Sequence, residues 1–153
     1  MTDSAKSKYD RLYTQIHSLV IKTDDIITRM ATINAILYHK MQHYFWVGFY
    51  LLKNEKLLAG PYQGPLACQE LAKDKGICWA GINARQTIIV PDVHKYPGHI
   101  ACDSRSNSEI VVPLINPNNE ILGVLDVDSR HKSAFNDLDK KYLEKISELL
   151  WVI

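Results

Sequence analysis

The segment from Val90 to Leu114, VPDVHKYPGHIACDSRSNSEIVVPL, holds the side chains best suited to chemistry. It sets Cys102, His94, His99, Asp92, Asp103 and Glu109 between two apolar stretches. Ile88-Ile89-Val90 and Ile110-Val111-Val112 read as buried strands, and the residues between them as a loop held by that scaffold. Cys102 has His99 three residues before it and Asp103 beside it. A thiol reacts as its anion, and neighbouring cations favour the anion, so this is a setting for a reactive thiolate. The competing reading is an inert cysteine that fills space.

The other candidates are cysteines, carboxylates and aromatic residues. The chain has 3 cysteines, Cys68, Cys78 and Cys102, all in its middle third. An odd count argues against a structural disulfide framework and leaves packing, metal binding or transient redox chemistry. Asp126 and Asp128 alternate with Leu125 and Val127 on an apolar strand, so both project to one face. Taken alone, such a pair would be expected on a solvent face. Glu109 opens a second apolar strand, which lets three carboxylates converge. Trp46 and Tyr50, at i and i+4 on a strand, share a face, although aromatic strand residues mostly pack in a core.

The elements that must position these groups follow from pattern. Residues 4–20 form an amphipathic helix with Leu12, Ile16, Leu19 and Val20 on one side. Asp24 or Asp25 caps a second helix running to about Tyr38. Residues 44–52 are aromatic and β-branched and read as a strand, and Asn54-Glu55-Lys56 is a turn into a hairpin partner ending at Gly60. Gly60–Pro65 reads as a loop rich in breakers. Short helices are predicted near 66–72 and 77–84, strands at 87–90, 109–115 and 120–127, and a turn at Pro117-Asn118-Asn119. Asn136 caps a last helix carrying Leu138, Tyr142, Ile146 and Leu149. The layout is α+β: a central, mainly antiparallel sheet flanked by N- and C-terminal helices, expected as a single domain over 1–153.

Composition narrows the function classes. The chain has 153 residues, 46% hydrophobic and 23% charged, ordinary for a soluble globular protein. Its formal net charge is +1 and its basic residues are scattered, which gives no nucleic-acid footprint. No apolar run approaches the roughly 20 residues of a membrane span. The polar start lacks the apolar segment of a signal peptide, so a cytoplasmic location is expected. The amphipathic terminal helices could also support a homodimer.

The element order resembles a GAF domain. Five segments take the resemblance further: FWVGFYLL at Phe45–Leu52, GPYQGPLAC at Gly60–Cys68, KGICW at Lys75–Trp79, the Val90–Leu114 segment, and LGVLDVDS at Leu122–Ser129. With them the chain closely resembles the free methionine-(R)-sulfoxide reductases, a GAF-fold enzyme family, over nearly its whole length. Its departures are small: Tyr96 where Phe is common, and Asp74 where Gly is common.

The resemblance implies reduction of free methionine-R-sulfoxide without a bound cofactor. A thiolate attacks sulfur, the oxygen is protonated, and a cysteine sulfenic acid forms; a second cysteine condenses with it to a disulfide. Thioredoxin is the implied external reductant. Cys102 is the first choice for the nucleophile and Cys68 for the resolving thiol, with Cys78 the rival for either role. Crowded, desolvated carboxylates hold a proton more readily, which suits Asp128 or Glu109 to be the general acid. The remaining carboxylates, with Asp126, would pair with the substrate ammonium. Trp46 and Tyr50 would wall its methyl and sulfur. Asp92, His94 and His99 would order the loop. Two other readings compete: a non-catalytic, ligand-sensing GAF module, and a zinc site built from His94, His99, Cys102 and another cysteine.

Overall fold

A computed structural model describes residues 2–99 and 102–153. Six strands form one antiparallel sheet: β1 (Trp46–Lys53), β2 (Lys56–Gln63), β3 (Glu70–Leu71), β4 (Ile88–Val90), β5 (Ser108–Ile115) and β6 (Ile121–Ser129), in the order β3-β2-β1-β6-β5-β4. Four helices accompany it: α1 (Thr2–Val20), α2 (Ile26–Lys40), α3 (Gly76–Ala84) and α4 (Asp137–Glu148). Local chemistry explains the joints. The β1–β2 hairpin turns on Asn54 and Glu55, both at positive φ, the twist that suits a two-residue loop. Asp25 caps α2 by accepting from the Thr28 N–H at 2.8 Å. Asn136 and Asp139 form a reciprocal capping box on α4. Asn116 Oδ1 accepts from the N–H groups of Asn118 and Glu120, which fixes the β5–β6 turn.

The sheet divides the molecule into two unlike halves. One face carries Val47, Phe49, Ile110, Val112, Leu125 and Val127 and is covered by the stripes of α1, α2 and α4. Leu12, Ile16, Ile33, Leu37, Leu143 and Ile146 are buried there. Each such side chain contributes roughly 1.5–3 kcal/mol of transfer free energy. The buried Arg29 guanidinium donates to the carbonyls of Leu149, Leu150 and Val152, tying the chain end to α2. The opposite face carries Trp46, Tyr50, Val111 and Val124 and is covered by α3, through Ile77, Cys78, Trp79 and Ile82. Among the described residues, one short α-helix and the single turn at Val93–Lys95 pack on this face, so room remains beside them.

Two sequence expectations change. Gly60–Gln63 continues β2 instead of forming a loop. A register shift lies between Gly48 and Tyr50; β3 pairs with Leu57 and Leu58, so among the described residues no strand pairs with the stretch holding Pro61 on its outer side, and the Pro61 carbonyl accepts from Asn34 Nδ2 at 2.7 Å. Residues 66–72 form no helix; their regular part is the two-residue strand β3. Asp74, where Gly is common, has φ +60, the left-handed region that favours glycine, and its carboxylate accepts from Asn83 Nδ2 at 3.0 Å.

Gly123 lies in β6 between β1 and β5 with φ +152. A methyl group there would overlap the Tyr50 carbonyl oxygen and stand 3.0 Å from Leu51 Cα. Gly123→Ala is therefore expected to cost about 3 kcal/mol, since both backbone strain and a backbone clash act on a central strand. Thermal unfolding should show a drop of roughly 6–12 °C. An unchanged midpoint would mean that β1 can move away from β6 at no cost.

Candidate active site

Strand register brings the polar groups together. Trp46 on β1 faces Asp128 on β6, which faces Glu109 on β5; in the next row Gly48 faces Asp126, which faces Val111. All of these point to the half covered by α3, because side chains alternate along a strand. Gly48 has no side chain, and a methyl group there would come within 2.6 Å of Trp46 Cη2. The indole therefore lies across Gly48, stacked on Tyr50 at 5.7 Å and on Tyr62 at 5.2 Å between ring centres. Its Nε1 donates to the Pro65 carbonyl at 3.0 Å, which fixes the ring.

These side chains line a cavity of about 70 Å³. Trp46, Tyr50 and Phe45 supply aromatic lining, Ile77 and Cys78 come from α3, and Glu109, Asp126 and Asp128 supply carboxylates. Leu66, Ala67, His99, Cys102, Asp103 and Ser106 come from the covering loops. The volume is far below the roughly 300–1,000 Å³ of sites for drug-sized ligands, which restricts the cavity to small molecules. Glu109 and Asp126 are each 5% exposed, which agrees with the expected convergence of desolvated carboxylates and not with the competing solvent-face reading: α3 and the loops cover that face.

The electrostatics are one-sided. Burial raises the pKa of Glu109 well above the carboxylate range, and the charges of Asp126 and Asp128 raise it further. Burial raises Asp128 well above its ordinary value too, with Asp126 adding to it, while the Ser106 hydroxyl, donating to Asp128 Oδ1 at 2.9 Å, opposes the shift. Asp126 is raised by burial, and its Oδ1 has no hydrogen-bond partner among the described residues. Burial also pushes the Cys78 thiol well above the thiol range. Lys75, on the exposed rim, is the Lys or Arg among the described lining residues. The cavity thus favours a small cation or a proton.

The cysteines separate into two kinds. Cys68 and Cys102 are joined by a disulfide, with Cα atoms 5.5 Å apart, so the described state is the oxidised one. Cys102 is exposed and Cys68 half-buried. Cys78 is free and buried, its Sγ 4.0 Å from Glu109 Oε1. Of the predicted site residues, Cys102, Cys78, Trp46, Tyr50, Glu109, Asp126 and Asp128 line the cavity, and Cys68 joins it through the disulfide.

The surroundings of Cys102 differ from expectation. Burial, with His94 nearby, lowers the His99 pKa and favours its neutral ring, so His99 is not the cation beside this thiol. The Asp103 carboxylate is held at about 2 by its hydrogen bonds from Arg105, which pairs with it at 2.7 Å. Arg105 and Arg130 stack their guanidinium groups on the Phe45 ring, at 4.9 and 5.0 Å from its centre. Asp92 and His94 do order the loop: Asp92 accepts from the His94 N–H and pairs with Lys132 at 3.3 Å, and the His94 ring contacts Asn107 Oδ1 at 2.9 Å. The proposed zinc set of His94, His99 and Cys102 does not assemble among the described residues, and Cys102 is engaged by Cys68. Ile100 and Ala101 of this loop lie outside the described residues. Sequence reading missed Phe45, Ser106, Arg105 and Arg130. It also missed Tyr62, whose signal was its place in an aromatic strand partner.

The profile of the GAF domain matches residues 35–153. A Dictyostelium discoideum protein named GAF domain-containing protein A is 45% identical over 96% of this chain and 92% of its own. The free methionine-R-sulfoxide reductase of Escherichia coli is 38% identical over 90% of this chain and 83% of its own. The structure of free methionine-R-sulfoxide reductase from Neisseria meningitidis in complex with its substrate is similar at a TM-score of 0.91 and 38% identity, covering 95% of this chain and 87% of that one.

Proposed function

We propose, from the premise that the chain belongs to the GAF-domain family and, within it, to the free methionine-R-sulfoxide reductases, that it reduces free L-methionine-R-sulfoxide to L-methionine. One observation carries this reading: the Cys68–Cys102 disulfide stands at the rim of a cavity that holds three carboxylates and an aromatic wall.

In the reaction, the Cys102 thiolate attacks the sulfoxide sulfur. Glu109 or Asp128 gives a proton to the oxygen, which leaves with Cys102 as a sulfenic acid while sulfur departs as the thioether of methionine. Cys68 then attacks the sulfenic acid sulfur, water is lost, and the disulfide forms. A dithiol of the thioredoxin type reopens it by exchange, and the exposed Cys102 gives that reductant access. Trp46 and Tyr50 pack against methyl and sulfur, and their faces favour the positive charge that develops there. The carboxylates that do not donate, Asp126 among them, hold the substrate ammonium. That pairing accounts for selection of the free amino acid, because a peptide nitrogen carries no charge.

The test is thioredoxin-coupled NADPH oxidation with free L-methionine-R-sulfoxide, the S epimer and a peptide-bound R-sulfoxide. Turnover of the free R epimer alone is expected. No turnover of any of them by folded, reduced protein would leave a ligand-sensing GAF module as the better account.

A further inference from the structure

Cys78 takes no part in the cycle above, yet it stands with two of the carboxylates. One ligand atom from each of Cys78, Glu109 and Asp126 lies within 4.8 Å of the others, and all three residues are buried. Asp126, 5% exposed, lines the cavity, and its Oδ1 is buried with no hydrogen-bond partner among the described residues. A buried carboxylate oxygen without a partner costs about 1–3 kcal/mol or more unless a donor or cation meets it.

We propose that Cys78, Glu109 and Asp126 form a site for a thiophilic divalent cation of the Zn²⁺ class, and that this cation and the substrate ammonium exclude each other. One sulfur and two carboxylate oxygens are a three-ligand set that leaves a fourth position facing the cavity. Bond lengths of about 2.3 Å to sulfur and about 2.0 Å to oxygen require sulfur and oxygen about 3.5 Å apart. The 4.0 Å from Cys78 Sγ to Glu109 Oε1 therefore needs a contraction of about half an ångström, and the set as a whole, within 4.8 Å, one of up to about 1.5 Å. The sulfur selects Zn²⁺ or Co²⁺ over Mg²⁺ and Ca²⁺, which take oxygen ligands. Binding replaces the thiol proton, and any carboxyl protons, by metal bonds and releases them to solvent. No oxidation state changes. The exclusion rests on the proposed ammonium site; the metal binding does not.

The oxidised protein makes the test clean, because Cys78 is its one free cysteine. Anaerobic titration with Co²⁺ is expected to give a thiolate-to-cobalt charge-transfer band that saturates at one equivalent. Zn²⁺ should bleach the band. Surface histidines cannot produce it, so wild-type protein alone decides: without the band the site does not exist. Cys78→Ser should abolish the band, and Asp126→Asn should weaken Co²⁺ binding at least tenfold with the thiol still present. A band that survives Cys78→Ser in a variant with wild-type circular dichroism would overturn the assignment. Free L-methionine added to the cobalt form is expected to release the metal. If the band persists at saturating methionine, exclusion falls and the metal site stands. If the band forms while sulfoxide turnover is absent, the enzymatic reading fails independently of the site.

Discussion

Cys102→Ser is expected to lower turnover of free methionine-R-sulfoxide by at least about 10⁴-fold, the scale on which loss of an enzyme nucleophile acts. The loss should appear with thioredoxin and with small dithiols alike. A serine oxygen is a poor nucleophile near neutral pH and cannot take up the sulfoxide oxygen as a sulfenic acid. Cys68→Ser should behave differently. It keeps the attacking thiol, so one equivalent of methionine per site should form in a single turnover. Cycling should then slow, because the Cys102 sulfenic acid has lost the partner it holds in the oxidised structure. Chromatography of methionine after rapid mixing, with dimedone to trap sulfenic acid, reads both steps. A full methionine burst in Cys102→Ser that disappears in Cys78→Ser would transfer the attack to Cys78. That outcome would require a thiol to ionise where burial and three carboxylates hold it protonated. Unimpaired cycling of Cys68→Ser would transfer only the resolving step.

The division of labour among the cysteines shows how far the sequence speaks. The strands were legible because their chemistry is local: an aromatic and β-branched run at Trp46–Lys53, a continuous apolar run within Ser108–Ile115, and an apolar run at Ile121–Ser129 that ends in alternation with Asp126 and Asp128. The caps at Asp25 and Asn136 were legible for the same reason. β2 was cut short because Gly60, Pro61 and Gly64 resemble a loop unless the register shift against β1 is known. The convergence and partial desolvation of Glu109, Asp126 and Asp128 could be anticipated from alternation, but the depth of their burial could not. It follows from α3 crossing that face, and nothing local to β6 signals it. Arg105 and Arg130 were missed for a related reason. They are 25 residues apart and meet only on Phe45, a third element, so no spacing in the chain announces the stack. His99 misled because nearness in sequence to Cys102 suggested a cation, whereas burial favours the neutral ring.

Replacing the proton-holding carboxylates should impair catalysis and steady the fold at once. Glu109→Gln or Asp128→Asn is expected to reduce kcat by roughly 10²- to 10⁴-fold for whichever residue is the acid, the usual range for general acid catalysis. The other substitution should act mainly on KM, through the ammonium. If both move KM alone, neither is the acid. The stability effect has the opposite sign. Glu109 and Asp128 titrate well above the usual carboxylate range in the native state, chiefly because burial disfavours their charge. The native state therefore binds more protons than the unfolded chain at intermediate pH, and stability falls as pH rises. Their contribution is fully present below about pH 4, where the unfolded groups titrate, and is lost as pH climbs through the raised native values. The slope is at most about 1.4 kcal/mol per pH unit for each group, less where the carboxylates share protons. Glutamine and asparagine cannot ionise, so the difference in unfolding free energy between variant and wild type should grow in the variant's favour from pH 5 to pH 8. Taking that difference cancels other titrations, such as that of His43, whose pKa burial lowers. Denaturant unfolding of the oxidised, ligand-free proteins at both pH values measures it. Parallel pH dependences for wild type and the Glu109→Gln/Asp128→Asn double variant would mean that these carboxylates are solvated in the free protein. The cavity would then lack the stored demand for a cation on which both ammonium recognition and proton donation depend.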